Sequence, residues 1–180
     1  MRSRRVAAVL ILVAMAAVCG AGLAAAEKAA GPALKIGVYD SRVVAIAYAR
    51  SEPFKQHVAQ MFKDLAEAKA KNDTERIKAL EAEGPAMQVR LHQQGFSTAG
   101  VSDIMAKVVD SIPGIARAAG VVLVVSKWEM PYRDPSVEIV DVSLPIAKLF
   151  NPDEQTLKII AGMKDVKPVP FDEISLNPND

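Results

Sequence analysis

Cysteine is all but missing: Cys19 is the only one in 180 residues, and it lies in the apolar stretch near the N-terminus. Once that stretch is removed no disulfide can form, so stability must come from packing or from association with other copies. Histidine is nearly as scarce. His57 is followed at i+3 and i+4 by Gln60 and Met61, and His92 by Gly95 and Phe96, so neither belongs to a helical metal pair. Both read as solvated or partly packed helix residues. Ser/His/Asp and Cys/His catalysis lack most of their raw material. Gly95 and Gly100 fit no phosphate-binding loop, and no nucleophile elbow or dinucleotide fingerprint is present. Aromatic residues make up 5% of the chain, which suits alanine-rich helices better than an all-β sandwich. An excess of positive charge is missing too, which argues against nucleic acid as a partner, because phosphate binding needs a clustered basic surface.

What is present begins with an export signal. Arg2, Arg4 and Arg5 precede an apolar run from Val6 to Val18, and Ala24-Ala25-Ala26 supplies small residues for cleavage. Residues 1–26 are therefore expected to be a signal peptide and the protein to be periplasmic. Val18 and Ala16 are poor neighbours for lipidation at Cys19, and the residues after Arg4-Arg5 do not suit twin-arginine export. The signal carries three arginines and no acid, so a chain with 22 basic and 21 acidic residues becomes slightly acidic on processing. About 150 residues remain, the length of one domain.

After a leader over 27–34, "KIGVYD" (Lys35 to Asp40) alternates as a half-buried strand does. Asp40 or Ser41 can cap a short helix to about Ala49, and Ser51 a second one with Pro53 in its first turn. Phe54, Val58, Met61, Phe62 and Leu65 form one apolar stripe, beyond which alanines and charges leave little to bury. Gly84-Pro85 is the expected break of an αα-hairpin whose arms would each run roughly 45 Å at about 1.5 Å per residue. Asn72-Asp73 is a second weak point, a kink or a turn. Gly95, Gly100 and Pro113 are expected to segment the returning arm. "VVLVV" (Val121 to Val125) reads as a central strand with both faces covered. A short strand is expected around Trp128 to Tyr132, and "VEIVDV" (Val137 to Val142) is either a third strand or the lead into a helix. A helix is expected over 151–163 and an extended or disordered tail over 164–180.

Candidate chemistry is thin. Asp40 and Arg42 flank one strand end, and Asp134 and Asp141 the later strand region. Caps and surface ion pairs account for them better than an acid/base pair does. Trp128 and Tyr132 suit the covered end of a small sheet better than a ligand pocket. No catalysis, cofactor, metal or small-molecule substrate is expected. Met61, Phe62, Met87, Leu91 and Phe96 on the proposed arms are the candidates for binding apolar clients, Met being adaptable in such roles.

Two segments resemble the Skp/OmpH family of periplasmic chaperones. In "KIGVYDSRVVAIAYARSEPFK", Asp40, Arg42, Val43, Ser51 and Lys55 stand where that family's opening has them. In "IARAAGVVLVVSKWEMPYRDPSVEIVD", Gly120, Leu123, Val124, Tyr132, Pro135, Ile139 and Asp141 match its closing half. The resemblance implies an α+β fold over 35–150: a β-body from 35–50 and 120–150 with a projecting antiparallel helical hairpin over 51–119. It implies a homotrimer joined through the β-body, for which Ile36, Val38, Val121, Leu123, Val125 and Ile139 are the candidates. It also implies an ATP-independent holdase for unfolded outer-membrane or envelope proteins. The alternative is a structural or adaptor protein of the envelope that binds one folded partner.

Overall fold

The computed structural model describes residues 34–174. The expected signal peptide, Cys19, most of the leader and the last residues of the tail lie outside them. The described chain is a mixed α+β unit, mostly helical, with one three-stranded parallel sheet. Its elements run β1 (Lys35–Tyr39), α1 (Ser41–Ala49), α2 (Glu52–Ala70), α3 (Thr74–Phe96), α4 (Ser102–Met105), α5 (Ile112–Ala119), β2 (Leu123–Ser126), β3 (Glu138–Asp141), α6 (Ser143–Ala147) and α7 (Glu154–Gly162). Among the described residues no helix is long and apolar enough to cross a membrane.

Strand order is β2-β1-β3, and both outer strands run parallel to β1. The central strand is thus the one around Val38, and "VVLVV" supplies an edge instead. Val122 is 70% and Leu123 51% exposed, which corrects the expectation of two covered faces. Nothing local distinguishes a strand with two neighbours from a strand with one, so the β-branched run does not by itself set its place in the sheet. No strand forms around Trp128 to Tyr132. Lys127–Val137 is instead the whole connection from β2 back to the start of β3. Crossovers between parallel strands are right-handed as a rule, so two of them to opposite sides of β1 lie on opposite faces. Residues of α1, α4, α5 and α6 pack with Tyr39, Val124 and Val140 on one face of the sheet.

Register sorts the side chains accordingly. Ile36 pairs with Leu123 and Ile139, and Val38 with Val125, so these five share a face. Tyr39, Val124 and Val140 point the other way, into the core with Val44, Ile104, Val142, Ile146 and Phe150. Val121 parts company with the other β-body candidates. It precedes β2, is buried, and packs on the Gly37 side of the sheet. A Cβ on Gly37 would stand 3.1 Å from Val121 Cγ2 and 3.3 Å from the Leu123 carbonyl oxygen. That oxygen belongs to a paired strand and cannot retreat, so Gly37→Ala should cost about 1–3 kcal/mol in urea unfolding. A cost near zero would show that β2 is free to shift.

The caps follow the sequence. Asp40 caps α1 and Ser51 caps α2 with Pro53 in the first turn. Asp153 caps α7 by accepting from the Thr156 N–H at 2.7 Å. Gly84-Pro85, however, does not break the chain. Helix α3 runs through Pro85, and the turn falls at Lys71–Asp73, where Asn72 takes φ 56° and Asp73 caps α3 through the Arg76 N–H. Asn tolerates the left-handed conformation, and Asp is a strong cap, so the pair turns the chain in three residues. Pro85 withholds one backbone donor and its ring crowds the Glu81 carbonyl, a cost of roughly 3 kcal/mol that the rest of the helix offsets. The arms are correspondingly shorter than expected, at about 28 Å for α2 and 34 Å for α3 at the standard rise. Beyond Phe96 the chain breaks into α4, a 3-10 turn and α5, with Pro113 in the first turn of α5.

Segments after Phe150 join the same core. Ile160 of α7 is buried in it, and the Arg50 guanidinium donates to Thr156 Oγ1 at 2.9 Å. The described part of the tail is extended between two 3-10 turns and anchored at three points. Val166 O accepts from Arg42, Val169 N–H donates to Phe96 O at 2.9 Å, and Ile174 is buried.

Candidate functional site

Two features stand out: a buried ion cluster at the C-terminal end of β1, and an apolar groove between α1, α2 and α3. Asp40 leaves β1 and caps α1 by accepting from the Arg42 N–H, which orients its carboxylate. Its Oδ1 accepts from Arg42 Nε at 3.1 Å and from Trp128 Nε1 at 3.2 Å. Its Oδ2 accepts from Arg42 Nη2 at 2.8 Å and pairs with Lys127 Nζ at 2.7 Å. Arg42 is 1% exposed and lies over the Trp128 ring, 5.2 Å from its centroid, with Lys127 Nζ at 4.3 Å. The Asp40 N–H donates to Ser143 Oγ at 2.9 Å, tying in α6. Burial alone works to raise the Asp40 pKa. Hydrogen bonds from Arg42 and Lys127 more than offset it and hold the carboxyl down to about 2.

Both oxygens of Asp40 are occupied by donors of the same chain, which ties β1, α1 and the loop after β2 together. Asp40 is a cap, as the sequence suggested, but its ion pair is buried rather than on the surface. The other carboxylates do not join it. Asp134 is spent on Ser136 in an exposed turn, and Asp141 accepts from the Ser143 N–H. Trp128 covers the sheet end, whereas Tyr132 is 76% exposed and covers nothing. Among the described residues no three His, Cys, Asp or Glu side chains gather as metal ligands would.

The groove encloses about 560 Å³. It brings together all five client-binding candidates: Met61 and Phe62 from α2, and Met87, Leu91 and Phe96 from α3. Helical spacing explains this. Positions 54, 58, 61 and 62 form one stripe of α2, and 84, 88, 91 and 95 form a facing stripe of α3. Helix α1 closes the end with Ala45, Ile46 and Ala49. Gly84 faces Met61 and Gly95 faces Ile46 across the groove, each with space for a methyl group at ordinary contact distance, 3.8 Å. Phe62 is 61% and Phe96 53% exposed, so the rim is apolar and open. His92 lies beside Phe96, ring centroids 5.4 Å apart.

Taken together, the fold defines a mixed α+β protein with a three-stranded parallel sheet and an apolar groove on its helical side. No family model, no curated protein and no solved structure matches the chain.

Proposed function

We propose that the chain is a periplasmic, ATP-independent holdase of the Skp/OmpH type, which trimerises through its sheet and keeps unfolded outer-membrane or envelope proteins from aggregating. The observation that carries this reading is the groove: an open, largely apolar channel with two exposed phenylalanines at its rim. A large exposed apolar patch on a folded chain marks an interaction site.

Further support comes from the helices. Contacts between α2 and α3 step in opposite directions away from the turn: Arg76 Nη2 meets Asp64 at 3.5 Å, and Met61, earlier in α2, lies beside Gly84, later in α3. This is the pattern of an antiparallel hairpin. The hairpin buries Ala68 and Leu80 near its turn and leaves most of its other side chains in solvent. The sheet supports the trimer. Its edges are β2 and β3, four residues each, and Val122 and Leu123 are exposed on the β2 side. Edge strands seek partners. Pairing β2 of one copy with β3 of the next is a head-to-tail contact, and such contacts close into rings when the rotation allows.

Size-exclusion chromatography with light scattering on the secreted chain should return three times the monomer mass. Equimolar trimer should hold an unfolded barrel protein in solution after dilution from urea. A monomer with no effect on aggregation would dispose of the reading. Capture of one folded partner at fixed stoichiometry, with unfolded clients ignored, would establish the adaptor alternative in its place.

A further inference from the structure

A cavity of about 380 Å³ opens between the strands β1 and β2 and the segment from α4 to α5, and it shares no residue with the groove. Val101, Met105, Ile112 and Val124 are among its apolar walls. Its polar members are Tyr39, Ser102 and Glu129. Tyr39 ends β1 on the core face of the sheet and is 9% exposed. Among the described residues its hydroxyl makes no hydrogen bond, yet it is not one of the sealed polar atoms, which are Ser41 Oγ and Gln94 Oε1. The phenol oxygen therefore keeps some surface of its own, and the cavity that Tyr39 lines is where a partner can reach it. A buried tyrosine normally finds a hydrogen-bond partner, so an unfilled one marks a place where a ligand gains a contact without breaking another.

Glu129 stands at the rim, with its Oε1 beside Gly100, where an added Cβ would come within 3.2 Å of it. It is exposed, so it supplies a field and not a buried contact. Burial first, and the Glu129 charge second, push the Tyr39 pKa above its ordinary value, and the hydroxyl stays protonated at neutral pH. The site thus offers a donor and calls for an acceptor. Negative charge at the rim opposes a carboxylate or a phosphate in that place. A cation would meet Glu129 only in water, where pairing is worth little, and would find apolar walls further in. What remains is an uncharged molecule with one acceptor oxygen. The volume lies at the small end of ligand cavities, roughly 300–1,000 Å³, and suits a small molecule better than a length of polypeptide.

We infer that this cavity binds an uncharged, apolar small molecule with one carbonyl oxygen, which accepts a hydrogen bond from the Tyr39 hydroxyl while the rest packs against Val101, Met105 and Val124. The inference goes beyond the holdase reading and does not rest on it, because the groove is elsewhere.

The test uses the full secreted chain and acetophenone, with ethylbenzene as a similar skeleton that lacks the oxygen, followed by ligand-observed NMR titration. Acetophenone should bind saturably. Tyr39→Phe should weaken it by about threefold to tenfold, the worth of one neutral hydrogen bond, and leave ethylbenzene unchanged. The hydroxyl holds nothing within the fold, so the variant should keep its circular dichroism and melt no lower than the unaltered protein. The carbonyl stretch of bound acetophenone should fall in frequency on the unaltered protein and return to its apolar-solvent value on Tyr39→Phe. A Phe62→Ser/Phe96→Ser variant of the groove should bind the ketone as the unaltered protein does. Absence of saturable binding, an unshifted carbonyl stretch on the unaltered protein, or equal affinity in Tyr39→Phe would overturn the inference. Binding lost in the groove variant and kept in Tyr39→Phe would overturn it too, by placing the ketone in the groove.

Discussion

Replacing Asp40 by Asn should destabilise the protein by about 3–5 kcal/mol at neutral pH, measured by urea unfolding. The reason is Arg42. Its side chain is 2% exposed, and Asp40 supplies the only carboxylate it meets among the described residues. Removing one member of a buried pair leaves the other charge uncompensated in a medium that solvates it poorly. Lys127 is a different case. Its side chain is 34% exposed and can turn to water, so Lys127→Met should cost under about 1 kcal/mol although it makes the shorter contact. The pH dependence follows from the depressed pKa. The Asp40 carboxyl titrates near its ordinary 3.8 in the unfolded chain and at about 2 in the folded one. Its contribution, about 2 kcal/mol, is therefore complete above pH 4 and lost as pH falls from 4 towards 2. The gap between the unaltered protein and Asp40→Asn should be flat from pH 5 to 8 and narrow below 4. A cost under 1 kcal/mol at pH 7 would mean that water reaches Arg42 and that the cluster holds little together.

That cluster shows what a sequence can and cannot disclose about this protein. Asp40 as a cap was legible, because a cap needs only its own residue and the two or three that follow. The buried network was not. Its members are Lys127, Trp128, Ser143 and the Val166 carbonyl, all more than eighty residues from Asp40, and no local pattern connects them. The groove stands in between. Its residues were legible as an apolar stripe on α2 and scattered apolar positions on α3. Their convergence depends on where the turn falls. Placing the turn at Gly84-Pro85 sets 84 at a tip, whereas placing it at Asn72 sets Gly84 opposite Met61. The sheet was legible as strands but not as an order, since parallel pairing about β1 is decided by packing that neither "KIGVYD" nor "VVLVV" encodes alone.

The Phe62→Ser/Phe96→Ser protein should lose most of its capacity to keep an unfolded barrel protein soluble, with its own melting temperature almost unchanged. Phe62 stands on α2 and Phe96 at the end of α3, on opposite rims of the groove. Both are more than half exposed, so truncating them removes little that the folded chain needs, and surface changes of this kind alter stability by about 0.5 kcal/mol or less. The Phe96 carbonyl keeps its bond from Val169, because that contact is backbone to backbone. A client loses far more. Each phenylalanine offers a passing apolar side chain an area worth about 1.5–3 kcal/mol when fully covered, so losing two rims weakens a single groove by about a hundredfold. On the proposed trimer three grooves act on one client, and the loss compounds because each later contact depends on the effective concentration set by the first. The readout is light scattering of the diluted client against chaperone concentration. Suppression equal to that of the unaltered protein would show that clients are held elsewhere, and the groove would then have no part in the activity. The same variant with Leu123→Lys added should also yield monomers, because a charge on the exposed edge of β2 opposes pairing with another copy. Monomers that still hold clients would separate the groove from the assembly.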